Sequence, residues 1–183
     1  SQTTKQIWIN PALGWIYLER SDLAAAKTHL GESATYCQAV GDKPPELYAR
    51  ALLVQAYSKG GELQQAAEHL GRVREIFSLS PDWLGLAAEV HLAEGVLATA
   101  QQRWPEAEAA FQRAVEVNRQ YHLPYYEARS LLEWGEMYLA RGKGAASGAP
   151  TSGVTGGIPP GQDREMGMQL LDQALAIYQQ CAA

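Results

Sequence analysis

Residues 52–73 read LLVQAYSKGGELQQAAEHLGRV, and the same layout recurs on both sides of them. Upstream lies ALGWIYLERSDLAAAKTHLGES at 12–33; downstream lie AEGVLATAQQRWPEAEAAFQRA at 93–114 and the shorter EWGEMYLARG at 133–142. In register, these segments place Gly14, Val54, Gly95 and Gly135 in one column, 40, 41 and 40 residues apart. Tyr17, Tyr57, Ala98 and Tyr138 follow three residues later, and Ala26, Ala66 and Ala107 form a second small-residue column. Leu30, Leu70 and Phe111 come four residues further on, then Ser33, Val73 and Ala114. Small residues allow two helix backbones to approach, and large ones at spacings of three and four face a neighbour, so each segment predicts an antiparallel helix pair.

Composition agrees with this. The chain has 183 residues, 46% of them hydrophobic, which is enough for a sizeable core. Ala, Leu, Glu, Gln and Arg dominate and β-branched residues are sparse, so an all-α fold is expected. Asn10-Pro11, Lys43-Pro44-Pro45, Ser80-Pro81 and Leu123-Pro124 are each expected to open a first helix, because proline's missing N–H costs nothing in a first turn. Ser21-Asp22, Gly60-Gly61 and Arg103-Trp104-Pro105 mark the turns into the second helices.

The fourth unit is interrupted by GKGAASGAPTSGVTGGIPPGQ at 142–162, after which Gly167, Leu171 and Ala174 repeat the small-large-small spacing. We therefore read 142–162 as a flexible Gly/Ser/Pro-rich insertion between helices seven and eight. Lengthening a turn from roughly 3 to roughly 21 residues costs on the order of 1.5 to 2 kcal/mol, since closure entropy grows only logarithmically. A docking tether is a second reading. A phosphate loop is disfavoured, because Gly142-Lys143-Gly144 lacks the GxxxxGK[ST] pattern and the strand before it.

The Gly-x-x-Tyr, Ala, x-x-x-Phe pattern resembles the tetratricopeptide repeat. The resemblance implies a right-handed α-α superhelix of about eight antiparallel helices in four pairs. The whole chain, 1–183, would then be one domain with repeats at about 6–42, 43–79, 80–121 and 122–183. Repeats of 40 to 41 residues, with ARSLLEWGEMYLARG and the closing QLLDQALAIYQQ, look like the C-terminal arrays of large bacterial signalling and transcription regulators. The long insertion departs from the short turn usual in that group.

In such arrays the first helices line a concave face that takes a partner segment. By that analogy the candidate partner- or ligand-binding residues are Trp15, Tyr48, Gln55, Glu89, Arg129, Leu132 and Glu136, with Ser58, Lys59, Thr99 and Ala140 in equivalent inward columns. Of the Lys and Asn positions that bind chaperone tails in one subclass, Lys59 alone matches, so that function is disfavoured. A mixed face suits an amphipathic segment, another helix, or a small effector such as an oligosaccharide. The plainer readings are that Trp8 and Trp15 cover an adjoining repeat, that Arg129 and Glu133 form an i, i+4 pair, and that Tyr17, Tyr57, Tyr138 and Trp134 fill the core.

Several classes are disfavoured. The net charge of −5 is scattered, which gives no footprint for nucleic acid. Cys37 and Cys181 lie far apart and are expected as free, buried thiols of a cytoplasmic protein. No 18-residue apolar run or secretory leader is present, and the start at Ser1 leads us to expect a piece of a longer protein. His29 and His69 occupy equivalent positions, so adjacency in a repeat explains them without a metal. With no HExxH and no Ser/His/Asp order, no catalytic residue, metal or cofactor is assigned, and a non-catalytic interaction or regulatory module is expected.

Overall fold

The computed structural model describes residues 2–80, 83, 85–146 and 161–182. Among them the protein is all-α, with eight helical rods packed largely in sequence as antiparallel pairs. The first rod runs from α1 (Gln2–Thr4) through a π-helical segment (Lys5–Ile9) into α2 (Asn10–Glu19). It is followed by α3 (Leu23–Val40), α4 (Lys43–Lys59), α5 (Leu63–Phe77), α6 (Leu86–Ala100), α7 (Trp104–Gln120), α8 (Pro124–Ala146) and α9 (Gln162–Cys181). The pairs are α2 with α3, α4 with α5, α6 with α7 and α8 with α9.

Three of the four proline signals behave as expected: Pro11 is the second residue of α2, Pro44 lies in the first turn of α4, and Pro124 is the first residue of α8. Ahead of Pro11 the rod nevertheless runs on, because the turn there widens and the Asn10 N–H bonds to the Lys5 carbonyl, five residues back. A π turn of this kind accommodates a residue that cannot donate its own ladder bond. The third first helix begins at Leu86, after Gly85 at φ 89°, a backbone conformation that glycine adopts without penalty. Pro81 itself lies outside the described residues.

The turns inside the first three pairs are built alike. Ser21, Gly61 and Gln102 all take left-handed φ, at 59°, 78° and 58°. After each, the next N–H reaches five residues back, from Asp22 to Tyr17, Glu62 to Tyr57 and Arg103 to Ala98, at 2.8 to 2.9 Å. This bonding caps otherwise orphaned carbonyls at the helix C-terminus.

The small-residue column does what its spacing implies. A Cβ on Gly14 would stand 2.4 Å from Leu30 Cγ, and one on Gly95 would stand 2.6 Å from Phe111 Cε1. In the last pair the backbones themselves meet, since a Cβ on either Gly135 or Gly167 would lie 3.0 Å from the other's carbonyl oxygen. The core is a chain of three clusters with shared helices: Leu30 with Leu52, Leu70 with Val90, and Phe111 with Leu131. The paired columns extend to the rings, with Tyr17 stacked on His29 and Tyr57 on His69, both at 5.4 Å.

Two expectations need adjustment. Helix α8 continues to Ala146, past Arg141, so residues 142–146 are helical, and residues 147–160 lie outside the described residues. Arg141 donates to both oxygens of Asp163 at 2.6 to 3.1 Å, which ties α8 to the start of α9. Cys37 is a buried free thiol whose pKa burial pushes up, but Cys181 is exposed in the last turn of α9, where no described helix covers it.

The glycine column yields a contrast. Gly95→Ala should lower stability by about 1 to 2 kcal/mol, overpacking against Phe111 outweighing alanine's helix propensity. Gly71→Ala, with open space around the site, should raise stability by about 0.5 to 1 kcal/mol. Urea unfolding of the two variants beside the parent chain measures both.

Candidate functional site

The first helices of the four pairs each send one side chain to a common point. Arg129 of α8 is 2% exposed and is the largest fully buried side chain among the described residues. Its Nε donates to Glu19 of α2 at 2.8 Å, its Nη1 to both oxygens of Glu89 of α6 at 2.9 Å, and its Nη2 to Gln55 of α4 at 2.7 Å. Gln55 in turn donates to Glu89 Oε1. Burial pulls the guanidinium pKa down, but the Glu89 and Glu19 carboxylates more than offset this, so Arg129 stays charged. The aromatics close the same junction: Trp15 meets Tyr125 edge-on at 5.8 Å, and Tyr125 meets Tyr178 of α9 at 5.4 Å.

The expected site residues thus fall into distinct groups. Gln55, Glu89 and Arg129 are brought together, but in the buried network. Trp15 is half-buried against α8, and Leu132 packs on the core cluster that contains Phe111. Tyr48 and Glu136 face separate pockets. The expected Arg129–Glu133 pair gives way to another arrangement, in which Arg129 turns to the other first helices and Glu133 accepts from Lys59 Nζ at 2.6 Å. Trp8 stands 73% exposed at the outer end of the first rod.

One pocket, of about 180 Å³, lies between α4, α6, α7 and α8 and is bounded by Tyr48, Glu89, Leu92, Asn118, Tyr126 and Ser130. Buried Asn118 donates to Ser130 Oγ at 3.1 Å, and its Oδ1 has no partner. The other pocket, of about 290 Å³, lies at the C-terminal halves of α4, α6 and α8. Val96, Phe111, Met137 and Ala140 supply its apolar wall, and Ser58, Lys59, Thr99, Glu133 and Glu136 its polar positions. Desolvation, then the Glu133 charge, pushes the Glu136 carboxyl pKa up, with Lys59 partly opposing them.

A second ionic cluster lies away from these pockets. Glu46 is fully buried at the start of α4, where Lys43, Arg50 and Arg72 converge on it. Burial raises its pKa, but hydrogen bonds from Arg72, Arg50 and Lys43 hold it below the usual carboxylate range. Among the described residues no group of three or more His, Cys, Asp or Glu side chains is placed to hold a metal. No helix among them is long and apolar enough to cross a membrane.

No protein-family model matches the chain, and no curated protein matches it in sequence. The four-helix meeting point carried no signal that sequence spacing could have exposed, because Glu19 and Arg129 are 110 residues apart. The one available hint was that Gln55, Glu89 and Arg129 fell in inward columns while being polar.

The Glu136 shift has a definite sign. A carboxyl whose folded pKa is raised binds its proton more tightly folded than unfolded, so ionisation costs stability above the unfolded value. Glu136→Gln should therefore raise the thermal midpoint at pH 7 and leave it nearly unchanged below about pH 4, where the carboxyl is protonated in both states. Melting curves of the variant and parent across that range check it.

Proposed function

We propose that this chain is a non-catalytic interaction module of the tetratricopeptide type, a right-handed α-α superhelix within a larger bacterial signalling or transcription regulator. The reading rests on the repeated pair, with its column of close-approach glycines and its left-handed turns. Stacked pairs present their first helices on one face, and such faces take partner segments. The observation that carries the reading is the pocket at the C-terminal halves of α4, α6 and α8, because it gathers inward positions from three consecutive pairs, Lys59, Thr99 and Glu136 among them. The Arg129 network fills the middle of the face, so the partner is a short segment engaging this half and not a chain threaded along the whole groove.

A second reading is favoured by a separate observation. The pocket beside Tyr48 and Tyr126 holds a buried Asn118 Oδ1 without a partner, which suits a small effector carrying an N–H or O–H group. In that case the module is a sensor controlling attached domains.

The two readings separate cleanly. A partner protein captured by the parent chain should be lost with the charge-reversed E136K variant, while a thermal-shift screen of small molecules leaves the midpoint unmoved. A screening hit abolished by Asn118→Leu, together with partner capture indifferent to residue 136, would favour the sensor and overturn the interaction module.

A further inference from the structure

We infer that the pocket at the C-terminal halves of α4, α6 and α8 receives one basic side chain, arginine or lysine, of a partner polypeptide. The inference rests on the interaction-module reading and adds the chemistry of the partner to it. The shape of the lining comes first. Val96, Phe111, Met137 and Ala140 form an apolar wall, while the carboxylates of Glu133 and Glu136 supply negative charge. A long aliphatic stem ending in a cation matches both parts, since lysine and arginine bury their methylenes and keep the charged head among polar groups.

The charges point the same way. Glu133 and Glu136 are one helical turn apart on α8, and like charges at that spacing repel. Among the described residues Lys59 is the only cation lining the pocket, and it is held on Glu133 at 2.6 Å. Among the described residues Glu136 has neither a hydrogen-bond nor an ion-pair partner. The lining therefore carries one carboxylate more than it has cations, and that carboxylate is crowded by its neighbour. The Lys59 ammonium on Glu133 is an internal example of the contact a second cation would make with Glu136.

An independent feature lies in the same pocket. Ser58 is 4% exposed, and its Oγ has no hydrogen-bond partner. A buried hydroxyl left unpaired costs free energy, and an incoming ammonium or guanidinium supplies the donor it lacks. The raised Glu136 pKa is what a carboxylate awaiting a counter-ion would show.

Met137 lines the pocket and serves as a reporter, with Met166 and Met168 on α9 as internal controls. The experiment titrates the full chain, labelled at the methionine methyls, with acetyl-Gly-Arg-Gly-amide, its lysine and norleucine counterparts, and spermidine. The arginine and lysine peptides should shift the Met137 methyl saturably and the norleucine peptide should not. Glu136→Gln should weaken the basic peptides by about tenfold, the loss of one partly desolvated ion pair. Lys59→Met should strengthen them by removing the competing cation. Equal response to norleucine, no Met137 response to any peptide, or unchanged binding by Glu136→Gln would overturn the inference. Spermidine acting at lower concentration than the peptides would overturn its assignment to a polypeptide. If the peptides fail while E136K still loses its captured partner, the pocket assignment falls and the interaction-module reading stands.

Discussion

The buried Arg129 guanidinium meets Gln55 and Glu89 in the interior and Glu19 at the solvent-exposed edge, and the placement of the four first helices depends on that meeting. Taking an ion from water into a protein costs several kcal/mol, and the cost is recovered only when partners surround it with good geometry. Four hydrogen bonds from three helices do so here. A shift of α2, α4 or α6 by an ångström or two breaks the bond or bonds to that helix, so the network favours one relative arrangement of the helices. A well-packed apolar cluster could be as stable. What the polar cluster adds is a specific register among elements distant in sequence.

That constraint also decides what is left for binding. The network occupies the junction of the four first helices, and two separate pockets remain beside it. On one side lies the Tyr48 and Asn118 pocket, and on the other the Lys59 and Glu136 pocket. Glu89 belongs both to the network and to the first pocket, so charge introduced there is felt by every first helix. Glu133 and Lys59 form a smaller version of the same device, joining α8 to α4 across 74 residues at the edge of the second pocket.

Local structure was legible in the sequence wherever it depends on residues close in the chain. The glycine column announced the contacts of Gly14 with Leu30 and of Gly95 with Phe111, because both partners recur at fixed offsets. The turns at Ser21, Gly61 and Gln102 were legible for the same reason, although only Gly61 carries the residue type that left-handed φ prefers. Pro11 marked the first turn of α2 but gave no sign of the π-helical segment that leads into it, and the third first helix begins only at Leu86. The columns grouped Gln55, Glu89 and Arg129, which the structure brings together, yet nothing local distinguishes Arg129 buried among carboxylates from Arg129 pairing with Glu133. That distinction depends on how the first helices of all four pairs pack together.

The direct test of this account is the coupling between the ends of the chain. A double-mutant cycle with Glu19→Gln, Arg129→Met and the double variant, followed by urea unfolding, isolates the interaction between residues 110 positions apart. A coupling free energy of about 1 kcal/mol or more, within a single cooperative transition, is the result the account predicts. Additive single effects, or a first helix pair that unfolds independently of Arg129, would contradict it.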